Sequence, residues 1–255
     1  MFIHNINPVL LDLGFLQVRY YGLVYFLGFL FIYFYMSSRV KKGMIKGMDK
    51  DKLEVFMLYL LAGVILGARI FTFIFYSPGV LLSNPLELFM VWHGGMSFHG
   101  GLIGAIIAIL LFSRKYKIRF YSLADLMALP AFFFLALGRI ANFINGELPG
   151  TRSDAPWCVV FPGFDGCRHP YQLYAAAKDF FLTGALYFVS KTWKLKEGLL
   201  FWYFVLLYNS TRFFLDFLRD PAGEAILLGI STGQYLSLAF TVIAVYFIYK
   251  LKAKK

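Results

Sequence analysis

Seven stretches of this chain, residues 20–37, 53–76, 98–112, 121–144, 171–189, 198–218 and 234–249, are apolar over about the length that crosses a bilayer. In hydrocarbon the backbone must satisfy its own hydrogen bonds, so such runs are read as helices. With 60% hydrophobic and only 15% charged residues, the chain falls outside the range of an ordinary soluble domain. The expectation is an all-α polytopic membrane protein, a seven-transmembrane-helix bundle spanning residues 1–255 as a single membrane domain. The first run lacks a positive leader and a small-residue cleavage site, so it is read as a retained helix.

A net charge of +11 could belong to a nucleic-acid binder, but its distribution says otherwise. Residues 39–52, 114–119, 191–196 and 250–255 hold 17 of the 25 basic side chains, all in every second connection. The opposite connections carry only Arg19, Arg152, Arg168 and Arg219. By the positive-inside rule the amino terminus lies outside and the carboxyl terminus in the cytoplasm. The charge is topology, and no nucleic-acid partner is expected.

The outside connections are long and rich in Gly, Pro and aromatics. Residues 77–97 read as an arm along the outer interface and 146–170 as a small extracytoplasmic head. The leucine-rich residues before Arg19 are too short to span. Cys158 and Cys167 both fall in the head loop; a bridge and two inert thiols both remain open.

Arg69, His99, Arg139 and Arg212 sit in or at the ends of the apolar runs. A cation at the bilayer centre costs at least a few kcal/mol, so such groups usually face an internal cavity. Fixed guanidinium groups there suggest a held anion, most simply a phospholipid phosphate. Arg139 and Asn142 are one helical turn apart. Arg139 needs a partner, either Glu147, Asp125 or Asp216 or an exogenous anion. Tyr208, Arg212, Asp216 and Arg219 form one stripe, with Arg212 and Asp216 spaced as an ion pair. His99, flanked by glycines, is the side chain able to trade protons near neutral pH. Arg69, beside small residues, reads as structural. Lys178 and Asp179, adjacent in sequence, are expected to point apart.

The stretches Tyr20-Tyr21-Gly22-Leu23, Gly94-Gly95-Met96-Ser97-Phe98-His99-Gly100-Gly101, Gly138-Arg139-Ile140-Ala141-Asn142-Phe143-Ile144-Asn145-Gly146-Glu147, Arg168-His169-Pro170-Tyr171-Gln172-Leu173-Tyr174 and Arg212-Phe213 closely resemble the prolipoprotein diacylglyceryl transferases. Five blocks match in order along the chain, and the Gly-Arg-x-x-Asn-Phe-x-Asn-Gly-Glu block is specific. The resemblance implies transfer of a diacylglyceryl group from phosphatidylglycerol to the lipobox cysteine of a prolipoprotein in the bacterial cytoplasmic (inner) membrane. It implies a seven-helix bundle with a periplasmic head and two lateral arms. Carried over by motif, His99, Arg139, Asn142, Glu147 and Arg212 match the functional set, with Tyr21 and Tyr208 as aromatic neighbours. The chain departs from the family pattern at His93, Pro149, Ala175, Asn209 and Asp216, where glutamine, tryptophan, an acid, glycine and glutamate are usual.

On this reading His99, Arg139 and Arg212 are catalytic, and Tyr21, Asn142, Asn145, Glu147, Tyr208, Asp216 and Arg219 bind substrate. His99 takes the thiol proton and the two arginines receive the departing phosphate. One histidine among arginines is a poor metal set, so neither metal nor cofactor is expected. A phospholipid transporter and a purely structural bundle are the rivals; one-sided clustering of polar residues argues against the first.

Overall fold

The computed structural model describes residues 2–14, 17–75, 77–90, 95–221 and 226–253, without the side chains of Phe98 and His99. The long helices are α1 (Tyr20–Lys41), α2 (Lys50–Phe75), α4 (Phe98–Tyr116), α5 (Phe120–Ile144), α6 (Tyr171–Thr192), α7 (Leu199–Leu215) and α8 (Thr232–Ala253). Each apolar run is therefore helical. Among the described residues α1, α2, α5 and α8 are long and apolar enough to cross a membrane by length and composition. Large side chains on their surfaces, such as Phe34, Leu58 and Phe75, are more than half exposed, as suits helices solvated by lipid. This is a mostly helical, polytopic membrane protein.

The chain divides into two compact units, residues 33–124 and residues 1–32 with 125–255. In the first, α2 and α4 pack backbone to backbone. A Cβ on Gly67 would stand 2.4 Å from the Gly100 carbonyl oxygen, and one on Gly104 would stand 1.9 Å from that of Gly63. Only glycine permits that approach. The small residues around the third run thus serve helix contact. Phe56 and Phe112, both fully buried, meet edge to face at 4.9 Å beside this seam. Asp49 starts α2 by accepting the Lys52 amide at 2.8 Å, and Ser97 starts α4 by accepting that of Gly100 at 3.3 Å. The arm forms a short α3 (Pro78–Ser83) and a 3-10 turn, Pro85–Phe89.

In the second unit the amino-terminal segment and the 146–170 loop build a small sheet. β1 (Phe2–Ile3) pairs parallel with β4 (Val159–Val160), which pairs antiparallel with β5 (Cys167–Arg168). Cys158 and Cys167 form a disulfide with a Cα separation of 5.5 Å, which closes the question the sequence left open. His4 is buried here; its Nε2 meets the Phe143 carbonyl at 2.7 Å and its ring stacks on Phe161. Leu10 and Leu11 belong to a hairpin of β2 (Val9–Asp12) and β3 (Gln17–Arg19). A second hairpin, β6 (Ile226–Leu227) and β7 (Ile230–Ser231), leads into α8. A reciprocal cap then starts that helix: Ser231 Oγ accepts the Gln234 amide, and Gln234 Oε1 accepts the Ser231 amide.

Candidate active site

The polar cluster begins where α5 ends. Gly146, at φ 68°, turns the chain so that Glu147 folds back over the last helical turn. Glu147 Oε1 then accepts Asn142 Nδ2 at 2.9 Å and Asn145 Nδ2 at 3.3 Å. Asn142 is buried, and its amide also reaches the Tyr21 hydroxyl at 3.4 Å. From the first turn of α6 the fully buried Gln172 donates to the Glu147 carbonyl at 2.6 Å. Tyr21, Asn142, Asn145 and Glu147 are thus one network. Gln172 holds it from below and was not among the expected site residues, although it lay in a matching block.

The second cluster joins α6 to α7. Arg212 Nε donates to Asp216 Oδ2 at 3.2 Å, the pairing that the helical spacing anticipates. The other Asp216 oxygen accepts the hydroxyl of Tyr171, a buried side chain that sequence did not single out. Arg212 Nη1 points to the Tyr208 hydroxyl at 3.5 Å. Arg139 lies over the other side of this assembly, its Cζ 5.9 Å from the Tyr171 ring centroid. Arg139, Tyr171, Asp216 and Arg212 therefore form a continuous chain of contacts.

All three carboxylates that could have neutralised Arg139 are committed elsewhere. Glu147 is held by the two asparagines and Asp216 by Tyr171 and Arg212. Asp125 caps α7, accepting the backbone amides of Gly198 at 2.6 Å and Phe201 at 2.8 Å. Among the described residues Arg139 thus has the Tyr171 ring as a neighbour, feels the charges of Arg212 and of the buried Asp179, and has no carboxylate within ion-pair distance. A partly buried guanidinium in that condition has donors with which it can hold an anion.

The remaining expected residues fall out differently. Arg219 lies beyond α7, because the helix tightens into a 3-10 turn at Asp216–Leu218, so it leaves the Arg212 stripe. It lines a small cavity with Asp216, Thr151 and Gln234 instead. Lys178 and Asp179 do not point apart: Lys178 Nζ is 2.7 Å from Asp179 Oδ1, the lysine stem bending back along α6 to a buried carboxylate. Arg69, 2% exposed, donates to the carbonyls of Leu88, Glu87 and Gly95 and covers the Phe73 ring. It pins the arm, as a structural arginine should. His99 stands in the first turn of α4, in the other unit, and its imidazole lies outside the described residues.

The family model described as prolipoprotein diacylglyceryl transferase matches residues 8–250. The chain belongs to that family. A relative from Bordetella avium, named phosphatidylglycerol–prolipoprotein diacylglyceryl transferase, is 42% identical over 91% of this chain and 89% of its own. Relatives with the same name from Geobacter sulfurreducens and Photobacterium profundum are 42% and 40% identical, covering 91% and 98% of this chain and 90% and 96% of theirs. This member is accordingly an enzyme, a membrane transferase of lipoprotein biosynthesis.

Proposed function

We propose that the protein moves the diacylglyceryl group of phosphatidylglycerol onto the lipobox cysteine of prolipoproteins. The unneutralised Arg139 carries this reading. Arg212 is balanced by Asp216, so the pair of arginines leaves one net positive charge, which matches a phosphodiester monoanion. In the reaction the cysteine sulfur bonds to the terminal glycerol carbon as the carbon–oxygen bond to phosphate breaks. A thioether and glycerol phosphate result, and the thiol proton passes to a base, assigned to His99. The departing phosphate gains negative charge, so donors on Arg139 and Arg212 bind the transition state better than the ground state. Asn142, Asn145 and Glu147 fix the turn beside Arg139, with Tyr21 against the amide of Asn142; Arg219 serves the peptide at the cavity it lines.

The same reading places the enzyme in the bacterial inner membrane with seven spans. α4 and α6, with 19 and 22 residues, rise about 28 and 33 Å at 1.5 Å per residue, close to a hydrocarbon core of about 30 Å. α7 and its 3-10 extension supply the remaining span. The 17-to-4 basic asymmetry puts the amino terminus outside, and the head disulfide fits an oxidising compartment on that face. The arm and the two hairpins then lie at the outer interface.

The deciding experiment uses purified protein in phosphatidylglycerol vesicles. Addition of a lipobox peptide should release glycerol phosphate and yield a thioether-linked peptide, one for one. Lipid exchange between vesicles without release would instead establish the transporter.

A further inference from the structure

Lys178 is a cation two turns inside α6 that the proposed chemistry leaves without a task, although its side chain is 15% exposed and sits at membrane depth. Among the described residues its ammonium has two contacts. One is Asp179, whose carboxylate is 1% exposed; the other is the face of Tyr208, 4.5 Å from Nζ to the ring centroid. On its remaining side lies a cleft walled by Thr211, Phe214, Leu215 and Leu218. In that wall the Thr211 hydroxyl donates to the Leu207 carbonyl at 2.5 Å, and the other three side chains are apolar.

Tyr208 faces Lys178 with its ring and Arg212 Nη1 with its hydroxyl. Arg212 is held at Nε by Asp216 and at Nη1 by Tyr208, and the two contacts together fix the plane of its rigid guanidinium. Phosphate recognition by a guanidinium depends on that plane. We propose that Lys178, clamped by Asp179, is a positioning residue for Arg212, acting through the ring of Tyr208. A partly desolvated cation over an aromatic face attracts the ring and favours one orientation of it. A long, flexible lysine does this only if its head is tethered, which is the part Asp179 plays. The inference rests on the phosphate-binding reading of Arg212 and adds to it the device that aims the fork.

Removing Lys178 alone would strand a buried carboxylate, and loss of fold would then imitate loss of function. The informative variant is therefore Lys178→Met with Asp179→Leu, which removes the pair whole. Turnover of a lipobox peptide in phosphatidylglycerol vesicles should fall roughly tenfold or more, because small misplacements of a positioned group cost up to about 100-fold. The loss should fall on kcat, with KM for the lipid changed less than threefold and the melting temperature kept. Lys178→Arg, which retains cation, tether and ring contact, should recover most of the rate. In a Tyr208→Phe background deletion of the pair should cost less than a further twofold, since the path it acts through is already cut. Wild-type turnover in the pair-deleted enzyme, or losses that simply multiply with Tyr208→Phe, overturns the inference. If the pair-deleted enzyme does not fold, Lys178→Gln with Asp179→Asn, which keeps a polar pair and no charge over the ring, carries the same comparison. Arg212→Lys is measured alongside: if it keeps full turnover, the phosphate reading itself has failed, whereas loss there with none in the Lys178 variants rejects only the positioning role.

Discussion

Arg139 and Arg69 are both arginines inside apolar helices, yet their surroundings assign them opposite tasks. Arg69 donates to three backbone carbonyls of the arm and lies 3.9 Å from the Glu87 carboxylate, whereas Arg139 meets an aromatic ring and has no carboxylate within ion-pair distance among the described residues. Lysine preserves charge at Arg139 but loses the planar fork, so Arg139→Lys should lose most turnover with the protein still inserted. Arg212→Lys should follow it. Arg69→Lys should lower the melting temperature more than the rate, because a single ammonium cannot reach all three carbonyls. Initial rates and thermal midpoints of the three purified variants check this; near-normal turnover in both Arg139→Lys and Arg212→Lys would remove bidentate phosphate recognition. For His99, replacement by Asn keeps a hydrogen-bonding side chain and removes basicity. Turnover at neutral pH should drop about 100-fold or more, with partial recovery towards pH 9 as the substrate thiol ionises unaided. An unchanged pH profile at normal rate would leave the base unassigned.

At the scale of elements, the helices are started and joined by contacts that sequence places far apart. Asp125 on α5 caps α7 through two amides, so Asp125→Ala should destabilise the protein by about 1–2 kcal/mol, the usual worth of a lost cap. Asp125→Asn, which keeps an acceptor oxygen, should cost less; equal losses from the two would show that the cap is not what matters. The glycine seam between α2 and α4 is less forgiving. A methyl at Gly104 would collide with the Gly63 carbonyl, and no rotamer relieves a clash with backbone. Gly104→Ala should therefore part the helices, seen as a lower melting temperature and weaker disulfide trapping between cysteines placed on the two helices. The cap of α2 has a pH dependence of defined sign. The ammonium of Lys52, and then its amide, hold the Asp49 carboxyl below its usual value. A depressed carboxylate adds stability above its unfolded value of about 3.9 and loses it as pH falls through the lower folded value. Fraying of this helix start should thus appear only in strong acid.

Across the whole molecule, orientation is the property most exposed to test. A cysteine in place of Lys42 should stay unlabelled by an impermeant thiol reagent added outside intact cells, and one in place of the exposed Asp154 should react. The native pair should be silent in the same experiment, being disulfide-bonded, and should become reactive only after reduction. Labelling at position 42 with none at 154 would invert the protein and put the arginine cluster on the wrong side for a secreted substrate.

The membrane class, the positions of the helices and the pairing Arg212–Asp216 were legible in the sequence, because bilayer thickness and helical spacing are local properties. The arrangement around Arg139 was not. Its three possible carboxylates were equivalent on paper, and only packing showed Asp125 taken by amides 73 and 76 residues away and Asp216 by a tyrosine 45 residues away. Backbone carbonyls and amides bear no mark in a sequence, which hid the tasks of Arg69, Gln172 and His4. The Lys178–Asp179 pair was misread for a related reason: neighbours on a helix diverge at Cβ, but a four-carbon stem excluded from an apolar wall bends back to the one charge available. Local chemistry declared what the groups are, and the packing of distant helices decided which of them were already committed to partners within the chain.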